Sequence, residues 1–107
     1  MRIIICGAGE VGSQASEVLD GKGHSITMID RDASRLAKIE DRLELSTLAG
    51  NCAHADILME AGAPDADLIV AATDNDEVNL LAASIARRLG VRKTIARVHD
   101  YTYLEQE

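Results

Sequence analysis

Short aliphatic runs alternate with stretches whose apolar residues recur every three to four positions, and this continues along nearly the whole chain. The runs at Arg2–Cys6, Ser25–Asp30, Leu45–Ala49, Asp67–Ala72 and Lys93–Val98 predict strands. Segments near Glu10–Asp20, Ala33–Leu43, Ala53–Ala61 and Asn75–Leu89 predict helices between them. The strands ("RIIIC", "DLIVAA") are almost continuously hydrophobic and do not alternate with polar residues. That is the pattern of a parallel sheet covered on both faces. Such a βαβ succession, joined by right-handed crossovers, predicts a Rossmann-type α/β doubly wound parallel sheet, strand order 3-2-1-4-5, in a single domain over residues 1–107.

Helix punctuation supports the same division. Asp32 is expected to cap the second helix, with Leu36 and Ile39 turned inward. Asp74 is expected to cap the fourth, with Glu77 completing a capping box. In that helix Val78, Leu81, Ala82, Ile85 and Leu89 recur at core-facing spacing, and Gly90 supplies the stop. Gly62 followed by Pro64 ends the third helix. The closing "HDYTYLEQE" reads as the first turn of a further helix capped by Asp100, so we expect a domain truncated before its crossover helix.

Composition narrows the candidates. With no Phe or Trp, the core must be filled by Leu, Ile, Val, Ala and Met. No apolar run approaches the roughly 20 residues that span a bilayer, and the N-terminal run ends in glycines where a signal peptide would continue. The formal charge of −7 disfavours nucleic acid and anionic lipid. Cys6 and Cys52 show no spacing that suggests a pair, which fits a reducing cytoplasm and gives no zinc pattern. An anionic ligand therefore needs a strong local field.

"GAGEVG" supplies one. Gly7, Gly9 and Gly12 stand at G-x-G-x-x-G spacing between the first strand and the first helix. Gly7 permits the tight turn, Gly9 admits a pyrophosphate to the backbone, and Gly12 lets the helix lie close to the sheet. Free amides at the helix start, with its dipole, hold phosphate. Asp30 closes the second strand about 20 residues on, where a carboxylate accepts both ribose hydroxyls of an adenosine and repels a 2′-phosphate. Adjacent Arg31 qualifies that preference.

Other residues fall at the carboxyl ends of strands, where open α/β sheets bind ligands. Gly50, Asn51 and Cys52 line the adenine or simply make a turn. Thr73 and Asp74 sit beside the middle or far ribose, with Asp74 equally suited to capping. Arg97, late in an aliphatic strand, calls for an anionic partner, either a ligand phosphate or a carboxylate such as Asp74 or Asp76. Asp74, Asp76 and Glu77 are either oxygen ligands for a divalent ion or acids complementing a helix dipole. A dehydrogenase also needs a proton-exchanging group and a substrate pocket. His24 lies on the face away from the nucleotide, His54 begins the third helix, and His99 alone reaches the ligand edge. The chain reads as a holder without a reagent.

The stretches "IIICGAGEVG", "ITMIDRD", "LAGNCAHADILMEAGAPDADLIVAATDNDEVNLLAASIARRLG" and "TIARVHD" resemble the RCK or KTN N-terminal domain of potassium-transport regulators, of the TrkA-N type. The likeness covers almost the whole chain, and the run Thr73–Asn79 is its most specific element. The resemblance implies a non-enzymatic, cytoplasmic regulatory subunit, a homodimer or higher ring. It would bind NAD(H), with ATP or ADP as the alternative, and control a Trk-type membrane potassium transporter without entering the membrane itself. By position it gives Gly7, Ala8, Gly9, Glu10 and Val11 as the phosphate loop and Asp30 as the ribose acid. Asn51 and Cys52 then fall on the adenine side, with Thr73, Asp74 and Arg97 as further contacts. Relatives that favour ATP carry a basic residue where this chain has Glu10, so NAD(H) is the expected ligand. The competing readings are the cofactor half of an NAD-dependent dehydrogenase and an S-adenosylmethionine-binding fold.

Overall fold

The computed structural model describes residues 1–100; the helix expected from the closing segment, over Tyr101–Glu107, lies outside the described residues. A single parallel sheet runs in the order β3-β2-β1-β4-β5. Its strands are β1 (Arg2–Cys6), β2 (Ser25–Asp30), β3 (Ser46–Ala49), β4 (Leu68–Ala71) and β5 (Lys93–Ala96). The helices are α1 (Glu10–Leu19), α2 (Ala33–Glu40), α3 (Ala55–Glu60) and α4 (Asp76–Leu89), with a 3-10 turn at Ala63–Asp65. The expected architecture and strand order are those observed; β1 and β2 keep their expected bounds, and the other elements are shorter by one to three residues.

Alternation along β1 builds both layers of the core. Ile3 and Ile5 meet Ile26, Met28, Leu36 and Ile39 beneath α1 and α2. Ile4 and Cys6 meet Ile29, Leu58, Ile69, Ala82 and Ala86 beneath α3 and α4. Ile3, Ile4, Ile5, Met28, Leu58 and Ile69 are fully buried, so aliphatic residues do fill the space that aromatic rings fill elsewhere. The edge strands β3 and β5 are only partly covered, and Lys93 on β5 is a residue type that deters edge-to-edge pairing.

Three expectations are corrected. The cap of α4 is Asn75, whose side chain accepts from the Val78 amide at 3.0 Å. A turn in which Thr73 Oγ1 accepts from Asn75 N moves the helix start one residue past the expected site. Asp74 is left with its side chain 88% exposed, and Glu77 falls one position short of a capping box. Second, Leu81 is exposed; it lies about a quarter-turn from the stripe of Val78, Ala82, Ile85, Ala86 and Leu89 that meets the core. Third, β5 ends at Ala96, so Arg97 lies beyond the strand and not within it. As expected, Asp32 caps α2 through Ser34 N and Arg35 N, and Gly90 closes α4 in the left-handed conformation at φ 115°.

Candidate functional site

All the loops that leave the carboxyl edge of the sheet surround one crevice of about 350 Å³, within the range of small-molecule sites. The loop after β1 forms its floor. Gly7 takes φ 101°, and a Cβ there would lie 2.8 Å from the Ala72 carbonyl oxygen. Gly12 packs α1 directly on the loop, since a Cβ would stand 1.7 Å from Gly7 O. Gly9 is the N-cap of α1 and has no side chain to satisfy the first-turn amides. Those amides and the positive end of α1 thus open onto the crevice beside Gly7, Gly9, Glu10 and Val11.

Asp30 stands across from them and already performs a structural task. Its carboxylate accepts from Ala8 N and from Asp32 N, each at 2.7 Å. It therefore ties the glycine loop to the start of α2. Two oxygens offer about four acceptor sites, so room remains for ribose hydroxyls. The same bond changes the part assigned to Ala8. Its amide is committed to Asp30, and its methyl is buried, so it braces the loop without lining the crevice. Gly12 likewise is buried beneath the helix.

The other sequence-derived candidates converge on the same space: Arg31, Asn51, Cys52, Thr73, Asp74 and Arg97 all line it. Asn51 accepts from Ala53 N at 2.8 Å, so its turn-forming role is real whatever else it contacts. Arg97 is a third exposed and lies 3.9 Å from Asp74, the carboxylate partner its position called for. The sequence reading missed Arg35, whose guanidinium reaches over the loop to within 3.7 Å of the position a Gly9 Cβ would take. A signal was present: Arg35 lies in the first turn after Asp30, where α2 faces α1.

The thiols also depart from expectation. Cys6 at the end of β1 and Cys52 after β3 are both reduced, buried and packed in one core cluster. Hydrogen bonding between them and burial raise Cys6 well above the ordinary thiol range, while the same bond lowers Cys52. His99 does not line the crevice; its Nδ1 lies 2.7 Å from Asp76 Oδ1. Hydrogen bonds from the His99 side chain and backbone hold the Asp76 carboxyl below the usual range. His54 is the exposed N-cap residue of α3, and His24 lies against the N-terminal amine. Among the described residues, no group of three or more His, Cys, Asp or Glu is arranged for a metal ion, and no helix is long and apolar enough to cross a membrane.

Fold and crevice together define a Rossmann-type domain with an uncapped helix start and a facing acid. Residues 3–106 match the TrkA-N domain family, and the chain belongs to it. The Trk system potassium uptake protein TrkA of Vibrio alginolyticus is 41% identical over 108 aligned positions, covering the whole chain. The chain spans about a quarter of that relative's length, 24%. Among solved structures, the Shewanella denitrificans Kef CTD in its AMP-bound form superposes with a TM-score of 0.81 at 28% identity, covering 97% of this chain and 65% of that one. ChuY, an anaerobillin reductase from Escherichia coli, superposes at 0.70 with 16% identity over 88% of this chain and 48% of that one, a likeness of fold alone.

Proposed function

We propose that this domain binds NAD(H) as a regulatory ligand and that, within a longer TrkA-type protein, it controls a membrane potassium transporter from the cytoplasmic side. One observation carries the ligand assignment: uncapped first-turn amides of α1 open onto a crevice whose opposite wall holds Asp30. The amides and Arg35 are suited to a diphosphate, Asp30 to the adenosine ribose, and Arg97 with Thr73 to the distal half. The AMP in the Kef domain supports an adenine nucleotide in a crevice of this kind. Glu10 at the mouth disfavours a γ-phosphate by like-charge repulsion, which favours NAD(H) over ATP. Control of a partner follows if the ligand binds one arrangement of a subunit ring better than another. Such rings are built from symmetric dimers.

The dehydrogenase reading has weaker support. Its one histidine candidate at the ligand edge is engaged by Asp76 and does not line the crevice. Calorimetric titration with NADH, NAD, NADPH, ATP, ADP, AMP and S-adenosylmethionine tests the assignment. NAD(H) should bind most tightly and remain chemically unchanged against a panel of hydroxy acids and aldehydes. Turnover by the full-length protein would overturn the regulatory reading, and absence of any nucleotide affinity would overturn the ligand assignment.

A further inference from the structure

The run from Thr73 to Asn79 is the most specific element of the family resemblance, yet the ligand assignment uses only Thr73 from it. Asn79 is fully buried among apolar neighbours in α4, an unusual place for an amide. Every hydrogen-bonding position on its side chain is used. Oδ1 accepts from Thr73 N at 2.8 Å and from Thr73 Oγ1 at 2.7 Å. Nδ2 donates to Thr73 O and to Arg97 O, each at 3.0 Å. One side chain therefore joins the segment leaving β4 to the segment leaving β5. A carboxamide is the side-chain group that offers two acceptor sites and two donors together, as this point requires. One turn earlier on the same helix, Asp76 is 11% exposed and accepts from His99 N at 2.9 Å and Asp100 N at 2.8 Å.

We propose that Asn79 is the positioning residue of the crevice: it locks the chain ends after β4 and β5 into one rim that aims Arg97 and Thr73 at the ligand, and Asp76 carries that rim onward to residues 98–100. This rests on the nucleotide-binding reading above. The backbone of Arg97 is fixed from two sides, by Asn79 Nδ2 on its carbonyl and by Ala71 O on its amide at 2.9 Å. Among the described residues its guanidinium is held only by Asp74 at 3.9 Å, an exposed and weak pairing. A ligand phosphate can take the guanidinium from Asp74 while the backbone stays in place. Arg97 is then where occupancy of the crevice meets the outgoing chain.

A double-mutant cycle separates positioning from mere support. In the full chain, Asn79→Ser should weaken NADH about tenfold while leaving adenosine, which has no phosphate, within about twofold. In an Arg97→Gln background the same change should alter NADH affinity by less than about twofold. An equal loss in both backgrounds, or none in either, overturns the proposal. Should Asn79→Ser fail to fold, Asp76→Asn serves the same cycle, and a loss that persists without Arg97 again overturns it. Ligand-free hydrogen exchange gives an independent reading: Asn79→Ser should speed exchange at Thr73 N, and Asp76→Asn at His99 N and Asp100 N. Unchanged exchange at these amides overturns the rim itself. If the wild-type chain binds no nucleotide, the ligand assignment falls and with it the aiming of Arg97, while the exchange result still decides the rim.

Discussion

Replacing Asp30 by alanine removes two interactions at once, and the structure allows them to be separated. The carboxylate accepts two backbone hydrogen bonds of 2.7 Å, from Ala8 and Asp32. Hydrogen bonds to a charged group contribute about 1.5–3 kcal/mol each, and Asp30 is half-buried, which weakens both by solvent screening. Asp30→Ala should therefore cost about 2–4 kcal/mol of stability, a fall in melting temperature of at least about 10 °C for a domain of this size. Nucleotide affinity, measured well below that lower melting point, should also fall about ten- to a hundredfold, corresponding to about 1.4–2.8 kcal/mol for the ribose hydroxyls. Asp30→Asn keeps one oxygen acceptor but places an amide NH₂ against a backbone donor. It should recover only part of the stability. Thermal denaturation and calorimetry on the same samples provide both readings. A variant that melts within about 1 °C of wild type would refute the loop-to-helix tie. One that melts lower but binds NADH unchanged would remove Asp30 from the ligand site while leaving its structural task intact.

Four further outcomes follow from the same geometry. Gly12→Ala should destabilise by about 3 kcal/mol or more, because its Cβ would stand 1.7 Å from Gly7 O. Gly9→Ala, whose nearest neighbour is an arginine side-chain nitrogen at 3.7 Å, should stay within about 1 kcal/mol of wild type yet lose nucleotide affinity; normal binding by this variant would place the phosphates elsewhere. Asp76 has a lowered carboxyl pKa in the folded state, so the unfolded chain binds the extra proton first as pH falls. Its contribution is fully present above about pH 4 and is lost below it, and Asp76→Asn should flatten the acid limb of a denaturation-against-pH curve; an unchanged limb would discount the Asp76–His99 contact. Glu10→Lys should raise ATP affinity relative to NADH at low salt, read by competition calorimetry, and an unchanged ratio would remove Glu10 as a discriminator.

The sheet order was legible because continuous aliphatic runs, glycine stops and an Asp cap all agreed along the chain. That the glycine loop would lie beside Asp30 was legible for a related reason: spacing along one βαβ unit fixes their distance in space. What escaped depended on contacts between remote segments. Cys6 and Cys52 belong to different strand ends and meet only because the loop after β3 folds into the core beside β1. Arg35 was passed over because its reach over the loop depends on how α2 lies against Gly9. Asn79 lay inside a motif already singled out, but its partners Thr73 and Arg97 become neighbours only through the β4–β5 pairing. The cap of α4 slipped by one residue because the side chain of Thr73 makes a turn that local propensity does not predict.

With no side chain between α1 and the loop it rests on, the floor of the crevice has nothing soft to yield. Gly7 and Gly12 touch backbone to backbone, and the Asp30 carboxylate ties the loop from across the crevice. Such a seat is preorganised, so a guest pays little entropy to settle there. A rigid seat is also a poor sender of messages. If the domain signals as proposed, any shift that reports the seat as taken has to originate on the opposite bank, among the residues that follow β4 and β5.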